Sequence, residues 1–306
     1  MFHHIPVMPD ETINALAIKP NGIYVDATVG GGGHASLIAQ QLKSGLLIGI
    51  DRDMDALQAA KNRVPSIIAL HGNFHDMPTL LNAQGITQVD GVLIDLGVSS
   101  HQLDTAERGF SYRFDAPLDM RMNQSQEGLT ASTIVNTYSE ADLTKILYQY
   151  GEERFTPRIV RAICARREVK PINTTHELVA IIEDSLPAKA RFGDKHPAMR
   201  TFMALRIAVN DELTPLKKTL INIVALLKPQ GRLAVITFHS LEDRIIKHGF
   251  RDMVNPCTCP RDIPFCACGE TPQLRIITRS AIIPSKNELQ ANSRAHSAKL
   301  RVAERI

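Results

Sequence analysis

Tryptophan is absent from this 306-residue chain, and aromatic residues of every kind make up only 5% of it. Long apolar runs are missing as well. The stretch 223–227 is typical of the longest, far short of the roughly 18 residues that a membrane-spanning helix needs. Neither sign of charge dominates: Lys and Arg number 35 against 32 for Asp and Glu, a net of +3. That excludes a strongly basic nucleic-acid-coating protein and confines any contact with nucleic acid to a local patch. Cysteine is scarce, five residues with four of them inside 257–268, so no disulfide framework spans the chain. Met1-Phe2-His3-His4-Ile5-Pro6 has neither the basic nor the apolar segment of a secretion signal, so a cytosolic protein is expected. What is present, 44% hydrophobic and 22% charged residues, is a globular composition long enough for one large domain or two modest ones.

The first hundred residues alternate between two patterns. Short apolar, β-branched runs over 22–29, 46–51, 66–70 and 91–95 read as buried strands, and helical periods fall over 34–42 and 54–63. Strands that are apolar on both faces and separated by helices predict a parallel sheet covered on both sides, the doubly wound α/β class. After Asp95 the alternation stops. Residues 103–210 show mainly helical periods, for example over 140–150, 154–166 and 176–184. The α/β pattern then returns, with a helix over 216–227 stopped by Lys228-Pro229-Gln230-Gly231 and strands over 232–238, 274–278 and 299–303. The expected organisation is an α/β domain, 1–102 and 211–306, with a helical domain, 103–210, inserted.

Chemistry concentrates where strands end. Asp26 closes the first strand, and Gly30-Gly31-Gly32-Gly33-His34 turns the chain into the first helix, where glycines let a ligand approach the backbone closely. Asp51, 18 residues beyond Gly33, closes the second strand, where a carboxylate can accept both hydroxyls of an adenosine ribose. A nucleoside cofactor is therefore expected. The lysine-containing phosphate loop is absent, which disfavours a nucleoside triphosphate. The spacing Gly30-x-Gly32-x-x-Ala35 is compatible with a dinucleotide, but the carboxylate of Asp26 would repel a pyrophosphate and suits the cationic amino group and sulfonium of S-adenosylmethionine (AdoMet). Asp26 can equally cap a turn. The fourth strand ends in Asp95, followed by Ser99, Ser100 and Gln102; Asp95 and Gln102 can contact a cofactor or orient an acceptor amine, whereas the serines suit a helix cap. Phe74, after the third strand, can lie against an adenine or simply join the core.

Several blocks taken together resemble the bacterial small-subunit ribosomal RNA methyltransferase H family, also called MraW. They are His4-Ile-Pro-Val-Met8, Asp26 to His34, Ile50-Asp51-Arg52-Asp53, Asp95-Leu-Gly-Val-Ser-Ser100, Glu107-Arg-Gly-Phe-Ser111, Pro117-Leu-Asp-Met-Arg121, Tyr150-Gly-Glu-Glu-Arg-Phe155, His196-Pro197 with Arg200-Thr-Phe202, Phe238-His-Ser-Leu-Glu-Asp-Arg244 and Ser297-Ala-Lys-Leu-Arg301. The resemblance runs from end to end. It implies a class I AdoMet-dependent methyltransferase fold and methyl transfer to the N4 amine of a cytidine in 16S rRNA of the small ribosomal subunit. It also implies cofactor contacts from Gly32, Gly33, His34, Asp51, Phe74, Asp95 and Gln102. No catalytic base is assigned: His239, near a strand end, suits a structural hydrogen bond as well as a base. Phe238 can meet a cytosine turned out of the RNA. The rival readings are a nicotinamide-dependent oxidoreductase and a ribosome assembly factor that uses AdoMet only as a structural ligand.

Two features stand apart. Arg154, Arg158 and Arg161, followed by Arg166, Arg167 and Lys170 with only Glu168 opposing, predict a basic helix face suited to RNA phosphates in the inserted region. The cysteines at 257, 259, 266 and 268 number enough for a Zn(Cys)4 site, but C-x-C pairs strain tetrahedral geometry, so no metal is assigned from spacing. Cys164, within a helical period, is expected in the core.

Overall fold

The computed structural model describes residues 6–124, 127–192, 196–260, 265 and 267–306. The chain forms two compact units, Met1–Gly97 with Leu213–Ile306, and Val98–Glu212. The first unit is built on a seven-stranded sheet: β1 (Ile23–Asp26), β2 (Leu46–Asp51), β3 (Ile68–His71), β4 (Val89–Asp95), β5 (Leu227–Thr237), β6 (Leu274–Ile276) and β7 (Lys299–Arg305). Their order is β3-β2-β1-β4-β5-β7-β6. The first five are parallel, and β7 runs antiparallel to both β5 and β6. Alternate residues go to opposite faces. Val25, Ile48, Val92, Ile94 and Val235 face the helices Met77–Asn82, Leu216–Leu226 and Ser240–Val254. Tyr24, Leu47, Leu93 and Ile236 face Pro9–Leu16, Gly33–Gln41 and Met54–Arg63. This is the doubly wound architecture expected.

The sequence 228–231 behaves otherwise than expected. The preceding helix does end at Leu226, but Lys228-Pro229-Gln230-Gly231 belongs to β5 itself. Val89 pairs with Leu227 and Gly91 with Arg232, so the single residue Asp90 faces a bulge. A bulge accepts Pro229, which has no N–H for a ladder, and Gln230 at a φ of 64°. Asp90 secures it by accepting from Lys228 Nζ at 2.7 Å and from the Ile23 N–H at 3.0 Å. Two of the family-like blocks meet at the far edge of the sheet, where Arg301 Nε donates to Asp243 Oδ1 at 2.6 Å and Lys299 Nζ to Oδ2 at 3.1 Å.

The second unit is mainly helical: Ser100–Asp104, Ala131–Thr137, Glu140–Gly151, Thr156–Val169, Thr175–Ser185, Ala188–Arg191 and Met199–Asn210. Its own core includes Ile134, Leu143, Leu147, Val160, Ile163, Leu178 and Phe202. Local sequence sets the helix starts. Ser139 accepts the Asp142 N–H, and Thr174 forms a reciprocal capping box with Glu177. The helix expected from 154 begins at Thr156, with Pro157 in its first turn where no N–H is needed. Buried Asn210 joins distant segments, its Nδ2 donating to the Met120 carbonyl at 2.8 Å and its Oδ1 accepting the Met122 N–H at 2.8 Å. Cys164 packs partly buried against this core.

Candidate active site

Three adjacent strands, β2, β1 and β4, each end in an aspartate: Asp51, Asp26 and Asp95. The strand order reverses between β1 and β4, and open α/β sheets bind ligands outside the carboxyl ends of strands at such a switch point. The glycine loop crosses this edge. Gly30 and Gly32 hold φ angles of 49° and 75°, and a Cβ on Gly32 would stand 3.1 Å from the Ala60 Cα. Only glycine lets the turn into helix Gly33–Gln41 pass so close to helix Met54–Arg63. Gly32 caps the new helix without a side chain, so its first N–H groups are left for other acceptors. One of them, on Ala35, serves Asp26.

The three carboxylates differ in partners. Asp51 Oδ2 accepts the Gly30 N–H at 2.9 Å and Oδ1 the Asp53 N–H at 3.0 Å, which leaves lone-pair capacity on both oxygens. Burial raises its pKa even so. Asp26 is 1% exposed and accepts the Thr28 N–H at 3.4 Å. Burial drives its pKa up to about 7, with the charge of Asp51 adding to the rise and the backbone donors opposing it. Asp95 donates its own N–H to Thr28 Oγ1 at 2.7 Å, and its Oδ2 lies 3.6 Å from His34 Nδ1. Its Oδ1 is buried with no hydrogen-bond partner among the described residues. Burial, then the charges of Asp26 and Glu242, hold its pKa well above the usual carboxylate range.

His34 carries a proton on Nε2. That nitrogen lies 2.8 Å from the Val7 carbonyl, which can only accept, and Nδ1 faces Asp95. Beyond β5, Phe238 stands beside Gly97, its Cδ2 3.6 Å from where a Cβ would be. His239 caps helix Ser240–Val254 by accepting the Glu242 N–H, while buried Glu242 accepts the Phe238 N–H at 2.8 Å. The other ring nitrogen of His239, Nε2, is buried without a hydrogen-bond partner among the described residues and lies 3.1 Å from Glu242 Oε1. Thr28 and Glu242 escaped notice in the sequence. The signal for Glu242 was a capping-box spacing, His239-x-x-Glu242, with histidine in the place of the usual serine. Nothing local marked Thr28.

Gly32, Gly33, His34, Asp51 and Asp95 come together at this edge. Phe74 follows β3 in the turn Phe74–Asp76 and packs, partly buried, against the apolar cluster of the sheet. Gln102 is buried in the second unit, where its Oε1 accepts the Ser99 N–H at 3.0 Å in a capping box; Ser99 is the cap that the sequence led one to expect.

The basic stripe is smaller than its sequence. Arg167 turns inward, donating to the carbonyls of Val135 at 2.9 Å and Tyr138 at 2.7 Å, which end helix Ala131–Thr137. Lys170 pairs with Glu177 at 2.8 Å. Arg166 lines a groove of about 660 Å³ together with His176, Glu177, Asp184 and Asp115, where acids outnumber it. Arg158 and Arg161 remain exposed on the helix and Arg154 just ahead of it.

The model of the MraW methylase family matches residues 1–306. The chain belongs to that family. Proteins named "Ribosomal RNA small subunit methyltransferase H" are similar to it throughout. That of Brevibacillus brevis is 51% identical over 310 residues, covering 100% of this chain and 98% of the relative. That of Clostridium botulinum (strain Kyoto / Type A2) is 52% identical over 309 residues, covering 100% and 99%. A solved rRNA methylase from Streptococcus thermophilus aligns at a TM-score of 0.43 and 10% identity, covering 100% of this chain and 99% of that one. This MraW methylase is an enzyme with the class I AdoMet-dependent methyltransferase fold, carrying an inserted helical unit, and AdoMet is its cofactor. The residues fit that cofactor: a buried carboxylate oxygen, Asp95 Oδ1, without a hydrogen-bond partner among the described residues and neighbouring aspartates with raised pKa values call for a cationic ligand that donates hydrogen bonds. The nicotinamide reading falls with the family assignment.

Proposed function

We propose that this methylase transfers the AdoMet methyl group to the N4 amine of a cytidine in 16S rRNA of the small ribosomal subunit. The observation that carries the reading is the trio of desolvated aspartates at the carboxyl ends of β1, β2 and β4, around a left-handed glycine turn, in a chain of the MraW family. When bound, AdoMet supplies an electrophilic methyl group and a sulfur leaving group. Asp51 accepts the ribose hydroxyls on the lone pairs that Gly30 and Asp53 leave open. Asp26 faces the cationic amino end. The backbone at Gly32 and Gly33 and the ring of His34 line the methionine and ribose side.

The N4 amine of cytosine is a weak nucleophile because its lone pair is delocalised into the ring, so positioning and charge stabilisation carry the rate. Asp95 Oδ1, buried and without a partner, accepts an N–H of that amine and aims the nitrogen. Positive charge growing on nitrogen favours the charged form of Asp95, whose field stabilises it, and one amine proton leaves during or after the transfer, so that the N4-methyl product is neutral. Phe238, beside Gly97 at the end of β5, offers its ring to a base turned out of the RNA. Arg158 and Arg161 meet RNA phosphates from the helical unit. An rRNA substrate places the reaction in the cytoplasm. Among the described residues no helix is long and apolar enough to cross a membrane.

The test is methyl transfer. Small subunits from cells lacking this activity are incubated with the protein and labelled AdoMet, then digested to nucleosides for mass spectrometry. Label in N4-methylcytidine, lost with Asp51→Ala, is the expected result. Label in another nucleoside overturns the acceptor, and AdoMet binding without any label overturns the reaction.

A further inference from the structure

The segment between helix Ser240–Val254 and β6 has no place in the methyl-transfer site. It leaves the helix end and returns to it, the Gln273 N–H donating to the Met253 carbonyl at 2.9 Å and the Ile306 N–H to the Gln273 carbonyl at 3.2 Å. Within it the sulfurs of Cys257, Cys259 and Cys268 lie within 4.8 Å of one another. Around a tetrahedral Zn²⁺ with Zn–S bonds of about 2.3 Å, neighbouring sulfurs stand about 3.8 Å apart, so modest side-chain adjustment completes the geometry. The objection that C-x-C spacing strains a zinc site is met by the fold, which already converges Cys257 and Cys259 and brings Cys268 to them from farther along the chain. Cys266 lies outside the described residues.

Apolar packing does not account for these thiols. Cysteines that serve as small hydrophobes are buried. Cys164, itself half-buried, does pack against the helical core, whereas none of the three loop cysteines joins an apolar cluster among the described residues. Cys257 is exposed and the other two are half-buried. A second, independent feature favours negative sulfur: the Ala267 N–H donates to Cys259 Sγ at 3.3 Å. Backbone donors of this kind stabilise thiolate ligands around a metal.

We propose that Cys257, Cys259 and Cys268 supply three ligands of a structural Zn²⁺ site that staples this loop to the end of helix Ser240–Val254. Each thiol gives up its proton to solvent as its S–Zn bond forms, so zinc uptake releases protons and depends on pH. Thiolate donors select a borderline-soft cation such as zinc over magnesium or calcium. The ion orders a long segment that has no helix or strand among its described residues.

The experiment uses the full-length protein, produced without a histidine tag and purified under reducing conditions. Metal content by plasma mass spectrometry is expected at about one zinc per chain. Replacement by Co²⁺ is expected to give a sulfur-to-cobalt charge-transfer band in the near ultraviolet with tetrahedral d–d bands in the red. Cys259→Ser and Cys268→Ser lower zinc affinity by roughly tenfold or more, while Cys164→Ser keeps the metal. Circular dichroism and AdoMet binding check that the variants fold; if they do not, the cobalt spectrum of the unaltered chain decides. The proposal is overturned by purified protein free of zinc that shows no charge-transfer band on cobalt titration. It is overturned equally by zinc retained in the Cys259→Ser, Cys268→Ser double variant.

Discussion

If Asp26 faces the cationic amino end of AdoMet, cofactor binding must expel a proton near neutral pH. Burial holds the carboxyl at a pKa of about 7 against an ordinary 3.8, a rise of about three units. At about 1.4 kcal/mol per tenfold change, burial favours the neutral acid by roughly 4 kcal/mol more than water does. A cation against the carboxylate reverses the preference and draws the pKa down. Below pH 7 the proton must therefore leave before or during binding, and the dissociation constant falls by up to about tenfold per pH unit between about pH 5 and 7, then levels off. Isothermal titration calorimetry in buffers of different ionisation enthalpy reads the released proton directly. Asp26→Asn removes the titrating group and the charge together, so it flattens the profile and weakens binding by roughly tenfold to a hundredfold. Titration of the ligand's own amine is common to both proteins and cancels in their difference. A wild-type profile no steeper than that of Asp26→Asn refutes the assignment. The sign for stability is opposite: a raised aspartate stabilises the unliganded fold at low pH. That contribution is full below about pH 3.8 and is lost as pH rises through about 7, so the melting temperature of Asp26→Asn declines less across this window.

Other outcomes follow from single side chains. Gly32→Ala forces a Cβ into the left-handed region against helix Met54–Arg63; chemical denaturation is expected to show a loss of about 1–2 kcal/mol, with weaker AdoMet binding by equilibrium dialysis. Asp51→Ala removes both the acceptor proposed for the ribose and the brace on Gly30, and lowers AdoMet affinity by roughly tenfold to a hundredfold; an unchanged affinity removes Asp51 from the pocket. Arg167→Ala leaves two carbonyls without their donor and costs about 1–3 kcal/mol of stability while leaving the salt dependence of RNA binding unchanged. Arg158→Ala and Arg161→Ala show the reverse, each lowering the slope of log affinity against log salt by about one in filter-binding assays with stability held.

Much of the first unit was legible because its signals are local. Runs such as 46–51 are apolar on both faces and punctuated by glycine and aspartate, and that is enough to announce a buried parallel strand. The aspartates stood out because a charged residue at the end of an apolar strand is costly unless it meets a partner or a ligand. Lys228 to Gly231 misled for the same reason. Proline and glycine are stop signals in a helix, but whether they then form a loop or a strand bulge depends on Asp90, more than a hundred residues earlier.

Sequence by itself determined the family, the doubly wound plan, the glycine turn and the acids placed around it, because spacing along the chain suffices to specify each of these. Tertiary structure alone decided which arginines face solvent. Arg167 and Arg166 adjoin in sequence, yet one caps a helix from 29 and 32 residues away and the other lines a groove. It also decided that Asp95 keeps a buried oxygen without a partner, that His34 carries a proton on Nε2, and that three cysteines with unpromising spacing converge. Each of these depends on atoms brought together through space by register and packing, and the order of residues along a chain does not specify which distant groups will share a site.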